Sequence, residues 1–370
     1  VALTDNEDQR LLGATVRRFV AERTPLPAVR EVAFSGRAYD PLVWRGLAGE
    51  IGLAGLTVPA EYGGAGGTMA DLAAALRELG AGLVPSPLLA SAVLAAGTLL
   101  ALDDAQAKKT WLPRIATGEV VGALAVSEGG GGPWIPPAPA TAAVTAAGAV
   151  TLTGVKTAVV NGAEADLLLV QAGGAPGPGV YLVTRGARGL AAEPQRCMDA
   201  TRSVATVTFD RTPAVRLAGD AAAALDHVAD LASLAISAEQ VGAMRACIEL
   251  TAQYAKTRYS FGQPIGAYQG VKHRLADMHT DWSLADAALR RATEASADGG
   301  ASLPAAAAAS RILASPAYVN AAKYTMLLHG GIGFTWEHDA HLYYKNAVTC
   351  NVLLGGQEYQ QLRLAGKLGV

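Results

Sequence analysis

The feature that most constrains this chain is a double change in hydrophobic periodicity. Apolar residues recur at helical spacing to about residue 118, fall into short β-type runs to about residue 219, and return to helical spacing thereafter. Thr4 followed by Glu7 reads as a capping box opening a helix whose apolar stripe includes Leu11, Val16 and Phe19. Helical patterns follow over residues 39–51, 68–80, 87–102 and 103–117, parted by Pro- and Gly-bearing turns, which predicts an N-terminal helical domain over residues 1–118. Runs at 120–126, 150–152, 167–171, 180–183 and 204–209, with Gly/Pro-rich turns between them, predict a small β-barrel or sandwich over residues 119–219. Three long segments, 221–258, 271–297 and 304–329, and a shorter closing one predict a four-helix bundle over residues 220–370. Gly299, Gly300 and Pro304 punctuate the gap between the second and third. The fold class is α+β, with helices, then strands, then a bundle.

Composition narrows the function. At 370 residues, 51% hydrophobic and 17% charged, the chain is globular and large enough for several packed layers. A net charge of −2 gives no electrostatic reason to expect nucleic acid. Cys197, Cys247 and Cys350 are widely spaced and read as reduced thiols, and the six histidines have no metal-ligand spacing. No signal peptide and no uninterrupted apolar run of about 20 residues is read, so a soluble cytoplasmic protein without a membrane span is expected.

Two segments carry chemistry. The first runs Arg258-Tyr259-Ser260-Phe261-Gly262-Gln263-Pro264 and on to Gln269; the second is His329-Gly330-Gly331-Ile332-Gly333-Phe334. An arginine at a helix end can fork onto a diphosphate. A Gly-Gly pair lets backbone N–H groups approach such a group without Cβ interference. Taken singly, each has a plainer reading, since an arginine there can cap carbonyls and a Gly-Gly pair can be a turn.

Other pieces fall in order around them: Val58-Pro59-Ala60-Glu61-Tyr62-Gly63-Gly64, Leu152-Thr153-Gly154-Val155-Lys156, Ala165-Asp166, Ala238-Glu239-Gln240-Val241-Gly242, and Gln269-x-Val271-Lys272-His273. In this order and spacing the chain resembles the acyl-CoA dehydrogenase family along nearly its whole length. The resemblance implies FAD as cofactor, an acyl-CoA thioester as substrate and electron-transfer flavoprotein as electron acceptor. It implies α,β-desaturation, in which a carboxylate takes the α-proton and flavin N5 takes the β-hydride. Family members share each FAD between two subunits, one holding the ring and supplying the base, the other gripping the ADP tail. By that analogy Arg258, Phe261, Gln269, Gly330 and Gly331 would hold the tail. Leu327 departs from a glutamine common three residues before the glycines.

The ring half departs further. The family's Thr-Glu-Pro-x-Ala-Gly-Ser corresponds to Ser127-Glu128 and the glycines at 129–132, leaving Ser127 as a flavin contact. A shielding aromatic corresponds to Ala158 and a polar partner to Val160. The usual base position falls on Gly355, and the alternative on the first bundle helix falls on Ala232 or Leu231; none can accept a proton. Glu239 and Glu358 are the remaining acids considered, and no catalytic residue is assigned. Three readings follow: a non-catalytic subunit completing the FAD site of a related chain in a heteromer, an arrangement that implies bulky or steroid side-chain CoA thioesters as substrates; a homo-oligomer with an unrecognised base; or a silent acyl-CoA- or flavin-binding protein.

Overall fold

The computed structural model describes residues 5–129, 133–146, 148–297 and 302–369. The first helical unit comprises α1 (Glu7–Arg23), α2 (Leu26–Phe34), α3 (Pro41–Arg45), α4 (Met69–Ala81), α5 (Ala96–Ala101) and α6 (Ala105–Ala116), with π-helical turns at Gly46–Glu50 and Leu89–Ala95. Its first helix is capped otherwise than the sequence suggests. Asn6, not Thr4, is the N-cap, exchanging hydrogen bonds with Gln9 at 2.8 and 3.1 Å; Thr4 lies outside the described residues.

The middle unit is one mixed sheet of β1 (Gly122–Ala125), β2 (Ala142–Ala146), β3 (Ala149–Val160), β4 (Leu167–Ala172), β5 (Gly179–Thr184), β6 (Leu190–Pro194) and β7 (Val204–Arg216). The order is β1-β4-β5-β7-β3-β2, with β6 on β7. β1 and β4 run parallel and the other pairs antiparallel. β7 bridges the sheet because it is long: Val204–Ala214 pairs with β3, while Val215 and Arg216 reach β5. β2 and β6 escaped the sequence reading because both are short and mostly exposed, with no apolar alternation to signal a strand.

The bundle comprises α7 (Ala221–Thr257), α8 (Gln269–Ala297), α9 (Leu303–Leu328), α10 (Ala340–Val352) and α11 (Gln357–Leu368). The single closing helix expected from sequence is therefore two, broken at Leu353–Gly356. α7 is long and apolar enough to cross a membrane by length and composition, but 72% of its most apolar window is buried inside the protein. Small residues let it meet α4 backbone to backbone. A Cβ on Gly242 would come 2.6 Å from the Arg77 carbonyl carbon, and one on Gly80 would come 2.6 Å from the Glu239 Cα. Beside this crossing, buried Glu78 accepts from Arg17 of α1 at 2.9 and 3.0 Å and from Arg245 of α7 at 2.7 and 3.1 Å. Burial pushes the Glu78 carboxyl up, but the two guanidinium groups hold it below the usual range.

Candidate functional site

At one end of the bundle, Tyr254 of α7 stacks on His329 at the end of α9, with ring centroids 4.3 Å apart. The Tyr254 hydroxyl donates to the His329 carbonyl at 3.3 Å. Arg258 follows Tyr254 by about one helical turn, and Gly330 follows His329 directly, so this clasp brings the two sequence segments together. After Arg258 the chain forms a hairpin, Tyr259–Ser260 (β8) against Gln263–Pro264 (β9), turning at Phe261 (φ +49°) and Gly262 (φ +83°). The Ile265 N–H donates to the Arg258 carbonyl at 2.8 Å, closing the hairpin onto the start of α8 at Gln269.

Arg258, Phe261, Gln269, Gly330 and Gly331 all lie on the surface, and Phe261 is 95% exposed. Gly330 has φ +63°, and no atom stands within 4 Å of a Cβ built on it or on Gly331. Arg258 and the Gly330–Gly331 turn are thus both exposed and unobstructed, as residues that hold the phosphates of a dinucleotide need to be. Leu327 is 48% exposed and contributes an apolar group there.

The sheet and the bundle enclose a second feature, a cleft of about 710 Å³. Ser127, Ala158, Met198, the Leu354–Gly356 turn, Glu358 and Tyr359 contribute to its walls. Ser127 is set by its neighbours. Buried Lys156 donates to the Val126 carbonyl at 3.1 Å and to Glu128 Oε1 at 2.6 Å. Glu128 in turn accepts the N–H groups of Ala140 at 2.6 Å and Thr141 at 2.8 Å. Burial alone would lift the Glu128 carboxyl; the Lys156 and backbone donations bring it down to about 2. Lys156 is lowered, because its desolvation outweighs the attraction of Glu128. Of the glycine run, 130–132 lie outside the described residues.

Ala158 lines the cleft from a β-bulge, with φ +51°. Val160 does not reach the cleft; it is 2% exposed and belongs to the apolar core. Ala232 is buried, Leu231 half-buried, and neither contributes to the cleft wall. Glu239 is tied to Arg202 at 2.5 Å and lines a separate internal cavity of about 20 Å³. Glu358 is exposed in the first turn of α11 and is the one carboxylate among the described residues lining the cleft. Gly355 has φ +92°, a conformation that favours glycine.

Sequence reasoning missed three side chains that shape this region. Arg311, 1% exposed, donates from Nη2 to the Cys350 and Leu353 carbonyls, the latter at 2.8 Å, and so caps α10 just before the turn. Arg202 reaches α7 from the loop before β7. Tyr359 projects into the cleft from α11. A basic residue in an apolar helical stretch was the signal for Arg311; the other two left none.

Residues 6–119 match the acyl-CoA dehydrogenase N-terminal domain, and residues 221–369 match the acyl-CoA dehydrogenase C-terminal domain. The chain belongs to the acyl-CoA dehydrogenase family, FAD-dependent oxidoreductases acting on CH–CH bonds. It is 36% identical over 346 residues to acyl-CoA dehydrogenase IpdE2 of Mycobacterium tuberculosis, covering 93% of this chain and 92% of that protein. Among solved structures it is similar to a variant of the Tcur3481-Tcur3483 steroid ACAD, with 30% identity, a TM-score of 0.89 and 98% of each chain covered. It is also similar to the ChsE4-ChsE5 complex from Mycobacterium tuberculosis, with 29% identity, a TM-score of 0.90, and 100% of this chain and 99% of that one covered.

Proposed function

We propose that this chain is a non-catalytic subunit of a heteromeric acyl-CoA dehydrogenase, lending its tail-binding face to FAD held by a related partner chain. The observation that carries the reading is the cleft's acid inventory. Its wall offers glycine at the family's base position and one carboxylate, Glu358, exposed on a helix turn. A base must approach its proton to hydrogen-bond distance, about 3 Å. Glu239, the other acid on a nearby helix, is engaged by Arg202.

The opposite face supports the complementary half of the reading. Arg258 would fork onto the diphosphate, Gln269 would bond the ADP moiety, Phe261 would pack on it, and the Gly330–Gly331 backbone would approach it. Bound FAD supplies the hydride acceptor; this chain's contribution is to orient and neutralise the phosphates. Similarity to a two-chain steroid dehydrogenase and to a two-protein complex supports a related chain as partner and a bulky, steroid-derived acyl-CoA as substrate class. Electron-transfer flavoprotein would then reoxidise the flavin.

The test is expression alone and together with a related dehydrogenase chain that carries the glutamate. Alone, the chain should purify with little FAD; co-expressed, it should form a yellow complex with fewer flavins than subunits by native mass spectrometry. A homomer with one FAD per chain and acyl-CoA turnover would overturn the reading. Loss of that turnover in Glu358→Gln would transfer the base role to Glu358, the second reading its place in the cleft supports.

A further inference from the structure

Tyr359 lies over Gly355. A Cβ built on Gly355 stands 2.7 Å from Tyr359 Cε1 and 2.9 Å from Cγ, and closer still to Cδ1. Carbon atoms settle at about 3.5–4.0 Å, so the aromatic ring fills the volume into which any side chain at 355 would grow. The contact reaches the root of the ring at Cγ as well as its far edge. Arg363 stands 5.8 Å from its centroid and donates to Asp226 Oδ1 and Asp230 Oδ1, each at 2.8 Å. The next residue, buried Gln360, accepts from the Ser233 hydroxyl at 3.3 Å and donates to the Gly355 carbonyl at 3.4 Å. These bonds clamp α11 to α7 and to the turn, and so set the position from which Tyr359 projects over Gly355.

We propose that Tyr359 sets what position 355 can carry: packed on Gly355, it fills the space a side chain there would need and so excludes a carboxylate from the place a base would occupy. The functional half of this proposal rests on the reading of the cleft as the ring half of a dehydrogenase site; the packing half stands on the geometry alone. Placing a base at 355 would then take two coupled substitutions, not one. Glutamate at 355 without removal of the ring enters occupied space.

A double-mutant cycle of Gly355→Ala and Tyr359→Ala in the full chain, followed by thermal unfolding, tests the packing. Gly355→Ala is expected to lower the Tm by about 4 °C or more with Tyr359 in place, and by clearly less in the Tyr359→Ala background, where only the backbone strain of φ +92° remains. Equal losses in the two backgrounds overturn the proposal, as does a double variant that fails to fold when Tyr359→Ala folds. The function is tested in the co-expressed complex with excess FAD and a saturated acyl-CoA in deuterated buffer, the partner's own glutamate replaced by glutamine. Gly355→Glu/Tyr359→Ala should exchange α-protons and Gly355→Glu alone should not; exchange by the single variant overturns the proposal. Coupled stability losses with no exchange by the double variant leave the steric role of Tyr359 intact and sink the assignment of the cleft as a ring half.

Discussion

The Arg202 guanidinium donates to Glu239 Oε2 at 2.5 Å, joining the loop before β7 to α7 across the seam between sheet and bundle. Both side chains are largely buried, at 13% and 14% exposure. Burial disfavours the Arg202 charge, yet the attraction of Glu239, with Cys350 and Asp199 nearby, leaves its pKa raised. The acid that sequence position makes a conceivable base thus has a structural partner within hydrogen-bond reach.

Glu239→Leu leaves a buried guanidinium without its counter-charge. Breaking such a pair from one side costs about 3–5 kcal/mol, whereas replacing both members by apolar groups of similar volume is often near neutral. The expected result is a large stability loss for Glu239→Leu and recovery of at least half of it in Arg202→Met/Glu239→Leu, read from urea midpoints. Were Glu239 instead the base, Glu239→Gln would abolish α-proton exchange in an otherwise stable complex, and that result would contradict the structural role.

Glu128 and Lys156 hold the Ser127 loop by charge, so the loop's contribution to stability depends on pH. The folded-state carboxyl is depressed to about 2 from an ordinary value of 4.5. A depressed carboxyl stabilises the fold fully above its unfolded pKa, and that stability is lost as pH falls through the window from about 4.5 to 2. Glu128→Gln should therefore be clearly less stable than the parent at pH 7, with the gap narrowing below pH 4.5. A gap that stays constant from pH 7 to pH 3 would show that the ion pair is not what anchors the loop.

Arg258 is exposed, so its replacement should leave the fold alone and act on the cofactor. Arg258→Ala removes charge-assisted donors worth about 1.5–3 kcal/mol, or roughly 10- to 150-fold in FAD affinity of the complex. Arg258→Lys keeps the charge but not the fork and should restore only part of it. Titration of apo-complex with FAD, beside an unchanged Tm of the isolated chain, checks both halves. Unaltered affinity in Arg258→Ala would remove the phosphates from this face.

Much of this was legible in the chain itself, for identifiable reasons. Arg258, Gln269 and Gly330 sit at helix ends, where capping and glycine chemistry leave local marks, and the structure brings these ends together through the Tyr254–His329 stack. The long bundle helices announce themselves by period. What stayed hidden depends on contacts distant in sequence. Nothing local distinguishes Glu239 as a partner of Arg202, 37 residues away, or Arg311 as the cap of a helix that ends at Val352. The break at Leu353–Gly356 left its glycines in plain view, but only packing reveals that Tyr359 covers one of them.

The clamp behind Tyr359 should itself respond to pH. Asp230, 3% exposed, faces Arg363, Asp226 and Lys367, with Tyr359 in front and His227 alongside Asp226. Burial outweighs the pull of Arg363 and lifts the Asp230 carboxyl to about 6, while burial keeps His227 below its ordinary value. An acid whose folded pKa is raised binds its proton more tightly when folded. Its contribution is therefore complete below the ordinary aspartate range, near pH 4, and is lost as pH rises through about 6. Asp230→Asn fixes the neutral state, so its stability relative to the parent should improve between pH 4 and pH 7, by about 4 °C in Tm. Paired melts of the two proteins across that range decide it: a relative Tm that is flat, or that moves the other way, would mean Asp230 is ionised in the fold throughout and that Arg363 alone sets its charge.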